Sequence, residues 1–292
     1  MDNDTYYHTT EAVLHTIDDA SISVRTLGSG PYLLFIHGFG VDGSTWRRLL
    51  PHLSASFTCV IVDLPGFGES KWHKHTDFTF TAQAQRLGKL MEQLGINRYH
   101  LVAQDTGASI ARILALKFPA QLEGMVLINT EIPKHRPPYI PLYQAIAHWP
   151  GMNWMFRNLM KVNQIVRSPL LFNQFYSDKS LLKHPDYLTP YIQNLKSSSL
   201  RMEGLLKYLR GIEWQVIDGF EQTHQALEAE VLLLWGEDDR TFPVKRAEAM
   251  TAQFSPKANL ERVKNASLMP HEEKPQEVAN HILDFLTIKA KI

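Results

Sequence analysis

Tyr32-Leu33-Leu34-Phe35-Ile36 is an unbroken apolar run, entered from the turn residues Gly28-Ser29-Gly30-Pro31. Such a run is the pattern of a strand covered on both faces. Residues 58–63, 99–104, 125–129 and 231–235 repeat it, and residues 22–27 alternate apolar with polar as a half-buried strand does. Between them, residues 46–53, 82–94 and 108–117 place apolar side chains at helical spacing. Strands alternating with helices predict an α/β fold whose mostly parallel sheet is covered on both faces. The chain holds no internal repeat and no low-complexity tract.

The rhythm stops at Ile132. Between residues 132 and 227 no buried-strand run occurs. Pro133, Pro137, Pro138 and Pro141 come first and are expected to fix the first segment. Aromatic-rich stretches follow (Trp149, Trp154, Phe156, Phe172, Phe175, Tyr176), and residues 153–160 read as an amphipathic helix. The pattern predicts a helical cap, 132–227, inserted into a core made of 1–131 and 228–292. A cap replaces an open cleft with a covered apolar cavity. A separate helical domain with its own task is the other reading.

Composition narrows the class. With 292 residues, 44% of them hydrophobic, the chain can bury one large core and carry an insertion. Thirty Lys and Arg balance thirty Asp and Glu, which argues against nucleic acid or an anionic membrane as the main partner. The one cysteine, Cys59, lies in an apolar run and reads as core packing, so no disulfide forms within the chain. Residues 1–5 lack the basic-then-apolar order of a secretion signal, and no apolar run is long enough to span a bilayer. The expected address is the cytoplasm. No Cys/His or His/carboxylate group has metal-ligand spacing and no Gly-rich loop suits a dinucleotide, so neither metal nor other cofactor is expected.

Candidate chemistry centres on Ala103-Gln104-Asp105-Thr106-Gly107, which ends the run 99–104 and opens the helical segment 108–117. This is a strand, a sharp turn and a helix, with a carboxylate where many hydrolases hold a serine. Small residues at both ends permit the strained turn. An Asp at the apex forms an alkyl-enzyme ester, where a serine forms an acyl-enzyme. A helix N-cap is the plainer reading of the same residue.

Further motifs follow the other apolar runs: His37-Gly38-Phe39-Gly40, Asp63-Leu64-Pro65-Gly66-Phe67-Gly68-Glu69-Ser70, Trp235-Gly236-Glu237-Asp238-Asp239 and Pro270-His271-Glu272-Glu273-Lys274-Pro275. Together with the elbow they resemble the α/β-hydrolase fold superfamily over nearly the whole length. Gln-Asp-x-Gly resembles its haloalkane dehalogenase and epoxide hydrolase branch. The resemblance implies a small apolar organic substrate, attacked by Asp105 at an sp³ carbon of a carbon–halogen bond or an epoxide. Asp105 is expected to be ionised at neutral pH and to need no base in that step. The backbone N–H groups of Phe39 and Thr106 would form the oxyanion hole. Asp239 is the preferred acid to hold a water-activating histidine, Glu131 is the second position for it, and Asp238 reads as a solvated neighbour.

The histidine itself is missing. The family places it seven residues before the Pro that is Pro275 here, and that position holds Leu268. Three readings follow. The chain is altered so as to trap its ester; or His271, three residues on, supplies the base; or the chain binds ligands without turnover. Loss of one triad member costs ~10³–10⁶-fold in rate.

Other departures concern substrate class. Thr106 stands where dehalogenases carry a halide-holding Trp, Phe39 where they often carry Asn, and Gly40 where epoxide hydrolases carry Pro. Gln-Asp at the elbow tilts the reading toward the halide. Trp46, Trp149 and Trp154 are candidate halide donors. Tyr139, Tyr143, Tyr176, Tyr187, Tyr191 and Tyr208 are candidate donors to an epoxide oxygen. His37 is expected to hold backbone geometry, Arg47 and Arg48 to face solvent or cap a helix, and His135 and Arg136 to be exposed.

Overall fold

A computed structural model describes residues 5–287 apart from Pro138 and Leu170, so Met1 to Asp4 of the polar start and Pro138 of the proline-rich segment lie outside the described residues. Among the described residues nine strands form one sheet: β1 (Val13–Ile17), β2 (Ala20–Gly28), β3 (Tyr32–Ile36), β4 (Thr58–Asp63), β5 (Lys71–Trp72), β6 (Tyr99–Gln104), β7 (Leu122–Ile128), β8 (Val231–Gly236) and β9 (Asn259–Val263). Their order is β1-β2-β4-β3-β6-β7-β8-β9, with β5 paired beside the start of β2. Pairs involving β1 and β2 are antiparallel; from β4 to β9 every pair is parallel.

The five apolar runs account for β3, β4, β6, β7 and β8, and the alternating stretch for β2. β1 and β9 escape that pattern because edge strands leave most of their residues in solvent, as both do here. In the central strands side chains alternate between two cores. Leu34, Ile36, Val60, Val62, Leu101 and Ala103 pack on the side of the helices Phe80–Gln93 and Thr106–Lys117. Leu33, Phe35, Cys59, Ile61 and Val102 pack with Trp46 and with Val278 and Ile282 of the helix Pro275–Thr287. Each fully buried side chain of this size contributes about 1.5–3 kcal/mol. Residues 46–53 are not one helix: a 3₁₀ turn, Gly43–Trp46, precedes a separate α-turn, Leu50–Leu53. Pro51 lacks an N–H and is tolerated only in the first turn of a new helix.

Between β7 and β8 the described residues form helices and turns, the longer helices being Tyr139–Ile146, Met152–Leu159, Leu188–Ser197 and Ser199–Arg210. Ser199–Arg210 lies directly on the loop after β4: a Cβ on Gly204 would sit 2.6 Å from the Gly66 Cα, so only a glycine pair allows the contact. The last helix of the segment, Phe220–Ala226, packs on Thr106–Lys117, with the Phe220 ring 4.8 Å from the Arg112 guanidinium. Among the described residues no helix is long and apolar enough to cross a membrane.

Candidate active site

Asp105 sits between β6 and the helix Thr106–Lys117 with φ 51° and ψ −132°, a conformation that costs an L-residue of order 1–3 kcal/mol. Backbone pairing holds it there, since its N–H donates to the carbonyls of Ile128 and Asn129 at 3.0 and 3.1 Å. Gly107 is required beside it: a Cβ at that position would lie 2.3 Å from the His37 carbonyl oxygen. The sharp turn expected from the small flanking residues is therefore present.

The Phe39 N–H donates to Asp105 Oδ2 at 2.8 Å, and the Thr106 N–H also bonds the carboxylate. Both amides expected at an oxyanion hole thus converge on Asp105. Tyr208, buried on the helix Ser199–Arg210, donates its hydroxyl to Thr106 Oγ1 (3.0 Å), which in turn lies 3.4 Å from Asp105 Oδ2. A side chain of the insertion is therefore linked to the elbow through one hydroxyl. Among six candidate tyrosines nothing in the sequence distinguished Tyr208.

Two more carboxyls are buried nearby. Glu131 Oε2 accepts from Ser109 Oγ at 2.8 Å and Thr130 Oγ1 at 3.0 Å, while Arg112 holds the Glu131 carbonyl at 2.9 Å. Asp105, Ser109 and Arg112 recur at steps of four and three along one helix face, the spacing that could have revealed this group. Asp239 accepts from Asn129 Nδ2 (2.8 Å) and from the N–H groups of Thr241 (2.7 Å) and Phe242 (3.1 Å). Asp238 is exposed and accepts from the Ser177 hydroxyl.

Burial pushes the Asp105 carboxyl up to about 8; Glu131 adds to the rise, and the Phe39 and Thr106 amides oppose it. Burial pushes Asp239 up to about 7 against its three donors, and it raises Glu131 as well. Burial thus works against the ionised form expected of Asp105 at neutral pH, and no imidazolium stands beside it to offset that.

A cavity of about 100 Å³ opens over Asp105. Phe39, Thr106, Glu131 and Leu268 line it from the core, and Tyr139, Tyr143, Phe156, Phe172, Phe175, Leu205 and Trp214 from the helical insertion. Leu268 thus faces the same space as Asp105, and its carbonyl is held by Gln104 Nε2 at 3.1 Å.

His271 is not brought to the cavity. It is fully buried, its Nε2 bonds Thr45 Oγ1 at 2.8 Å, its ring lies 4.6 Å from that of Trp46, and burial lowers it to about 4. Glu272 beside it accepts from Thr45 Oγ1 (2.8 Å) and from the hydroxyls of Tyr176 and Tyr191 (both 2.6 Å), with Arg47 3.4 Å away. The solvent-facing expectation for Arg47 is therefore corrected: it is buried because Glu272 and the Asp186 carbonyl need its charge and N–H groups. Arg48 is half-buried over the Tyr187 ring. His135 is also half-buried, with Nε2 2.8 Å from the Thr241 carbonyl, whereas Arg136 is exposed and paired with Asp218. His37 accepts from Leu64 N–H at 2.9 Å and bonds the Gly38 carbonyl at 2.8 Å, which braces the loop bearing Phe39.

Of the tryptophans named from the sequence, Trp46 packs beside His271, and Trp149 and Trp154 are exposed. Trp214 does line the cavity but gives its indole N–H to Gln144 Oε1 at 2.6 Å.

The strand order, the helices on both faces and the acute turn at Asp105 define an α/β hydrolase. Residues 31–275 match the family profile described as alpha/beta hydrolase fold, and the chain belongs to that family. Among curated relatives, a pimeloyl-[acyl-carrier protein] methyl ester esterase of Aeromonas salmonicida is 30% identical over 132 residues, 45% of this chain and 47% of that protein. Epoxide hydrolase 3 of Mus musculus is 27% identical over 243 residues, covering 78% of this chain and 63% of that one. The chain thus spans about half to two thirds of the length of these relatives. A thermophilic esterase from Thermogutta terrifontis superposes with a TM-score of 0.77 at 22% identity, over 95% of this chain and 98% of that one.

Proposed function

We propose that this α/β hydrolase opens a bond at an sp³ carbon of a small apolar substrate by forming an Asp105 ester, and that it releases this ester slowly. The observation that carries the reading is Asp105 itself, strained at the elbow and held by the Phe39 and Thr106 amides. Those donors favour a carboxylate whose one oxygen stays in the hole while the other attacks. The helical segment 132–227 acts as the cap that keeps the cavity apolar.

Between the two bond types the cavity favours the epoxide. Tyr139 and Tyr143 line it, and the Tyr139 hydroxyl is oriented by Thr241 Oγ1 at 2.8 Å. In this step the Asp105 oxygen forms a C–O bond as the ring C–O bond breaks. The released electron pair goes to the ring oxygen, which takes a proton from a cavity phenol. A halide leaving group finds less support, since the Trp214 N–H is committed to Gln144.

The second step, attack of water on the ester carbonyl, needs a base. Leu268 cannot accept a proton, and His271 is tied to Thr45 outside the cavity. Asp239 and Glu131 are each engaged by hydrogen-bond donors. Epoxide consumption is therefore expected to stop at one equivalent per chain, measured by quench-flow against chain concentration. Consumption that continues linearly for many equivalents would remove the slow-release half of the reading. A ligand-binding role without chemistry is the second reading, favoured by Leu268 and by the burial that disfavours the charged form of Asp105; it predicts binding with no equivalent consumed.

A further inference from the structure

The outer surface of the helical insertion carries large apolar side chains that packing leaves unused. Trp149 is 65% exposed and Trp154 71%, and Met155 and Leu200 are exposed with them. Single exposed apolar residues are ordinary, but these share one region. Asn153 Nδ2 donates to the Ser199 carbonyl at 2.9 Å and accepts from Ser199 Oγ through Oδ1 at 3.1 Å. This pair sets Met152–Leu159, which carries Trp154, alongside the start of Ser199–Arg210, which carries Leu200. Trp149 ends the preceding turn, where its carbonyl accepts from Met152 N–H. Met152–Leu159 is apolar on both sides: Met152 and Phe156 point inward, Trp154 and Met155 outward. A helix on the surface of a soluble domain keeps its outer face polar.

Charge distribution says what covers this face. From residue 132 to residue 177 the sequence contains no Asp or Glu but five Lys or Arg. Lys134 and Arg136 pair with Glu221 and Asp218 at the base of the insertion. Arg157 follows Trp154 by three residues on the same helix and is half-buried, Lys161 is exposed just past that helix, and Arg167 is half-buried further along the same acid-free stretch. The zero net charge of the chain averages over this segregation, so it does not exclude an anionic surface as a partner. A second copy docked on the same face about a two-fold axis would set these cations against themselves. Exposed Trp in a stretch that carries Lys and Arg but no acid, with the nearby Glu203 paired to Arg210, matches the headgroup region of an anionic bilayer, where indoles sit at the interface and each cation contributes about fivefold in affinity.

We propose that this face docks the protein on an anionic lipid bilayer, with Trp149 and Trp154 at headgroup depth and Arg157, Lys161 and Arg167 against the lipid phosphates. The docking does not depend on the chemistry at Asp105. The test is co-sedimentation of the full chain with phosphatidylcholine vesicles, with and without phosphatidylserine. Binding is expected to require phosphatidylserine and to weaken as salt rises. The double variants W149A/W154A and K161E/R167E are each expected to lose more than tenfold in vesicle affinity with an unchanged thermal midpoint. Absence of binding to either vesicle, or binding indifferent to both double variants, overturns the proposal. So does light scattering that shows a dimer in lipid-free buffer which W149A/W154A converts to monomer, because the face would then join two copies.

Discussion

Leu268→His is expected to convert a reaction that halts after one equivalent into continuous turnover, with a steady-state rate at least ~10³-fold above that of the parent chain. The side chain at this position already faces the cavity over Asp105, and Gln104 fixes the backbone there. An imidazole of similar bulk would meet an ester at Asp105 and a water between them. The acid that orients it is proposed to be Asp239, whose carboxylate is held in place by Asn129, Thr241 and Phe242. In the Leu268→His background, Asp239→Asn should then remove most of the gained turnover, and Glu131→Gln should remove little. If the reverse holds, Glu131 is the acid. If Leu268→His folds with an unchanged thermal midpoint and still stops at one equivalent, the missing base does not explain slow release.

The second large effect is in pH. Burial disfavours the charged forms of both carboxyls, pushing Asp105 up to about 8 and Asp239 up to about 7. In the unfolded chain both titrate near 3.8. Between those values the folded state holds protons that the unfolded state has released, so stability falls as pH rises from about 4 to about 8. Below about 4 both states are protonated and the contribution is fully present; above about 8 it has been lost. Asp105→Asn removes one of these groups and should stabilise the fold more at pH 8, where the carboxyl's burial penalty is fully felt, than at pH 5. Denaturant titrations at pH 5 and pH 8 measure this, and an Asp105→Asn gain equal at both pH values contradicts the assignment. Ester formation follows the ionised fraction, so its rate should climb about tenfold per pH unit below about 8 and then level off. In Leu268→His, an imidazolium beside the carboxyls would pull that rise to lower pH.

Legibility in the sequence followed the range of the interactions. β3, β4, β6 and β8 were readable because both faces of each are buried, which leaves a local apolar run. The elbow was readable because its backbone demands small residues around Asp105. Edge strands β1 and β9 were not, since solvent on most positions erases the pattern. Arg47 could not be placed either: its partners, Glu272 and Tyr191, lie more than a hundred residues away, and a charged residue read alone defaults to the surface. His271 misled for the same reason, since its bond to Thr45 spans 226 residues. The ionisation state of Asp105 depends on how much water reaches it, and no local motif encodes that.

The central claim is a covalent bond between substrate carbon and Asp105. Intact-mass spectrometry of the protein after incubation with a reactive terminal epoxide at pH 8, followed by peptide mapping, tests it most directly. The account predicts a single stable increment equal to the mass of the epoxide, located on the peptide containing Asp105, absent from Asp105→Asn and short-lived in Leu268→His. An unmodified Asp105 peptide under conditions where the ligand demonstrably occupies the cavity would contradict it.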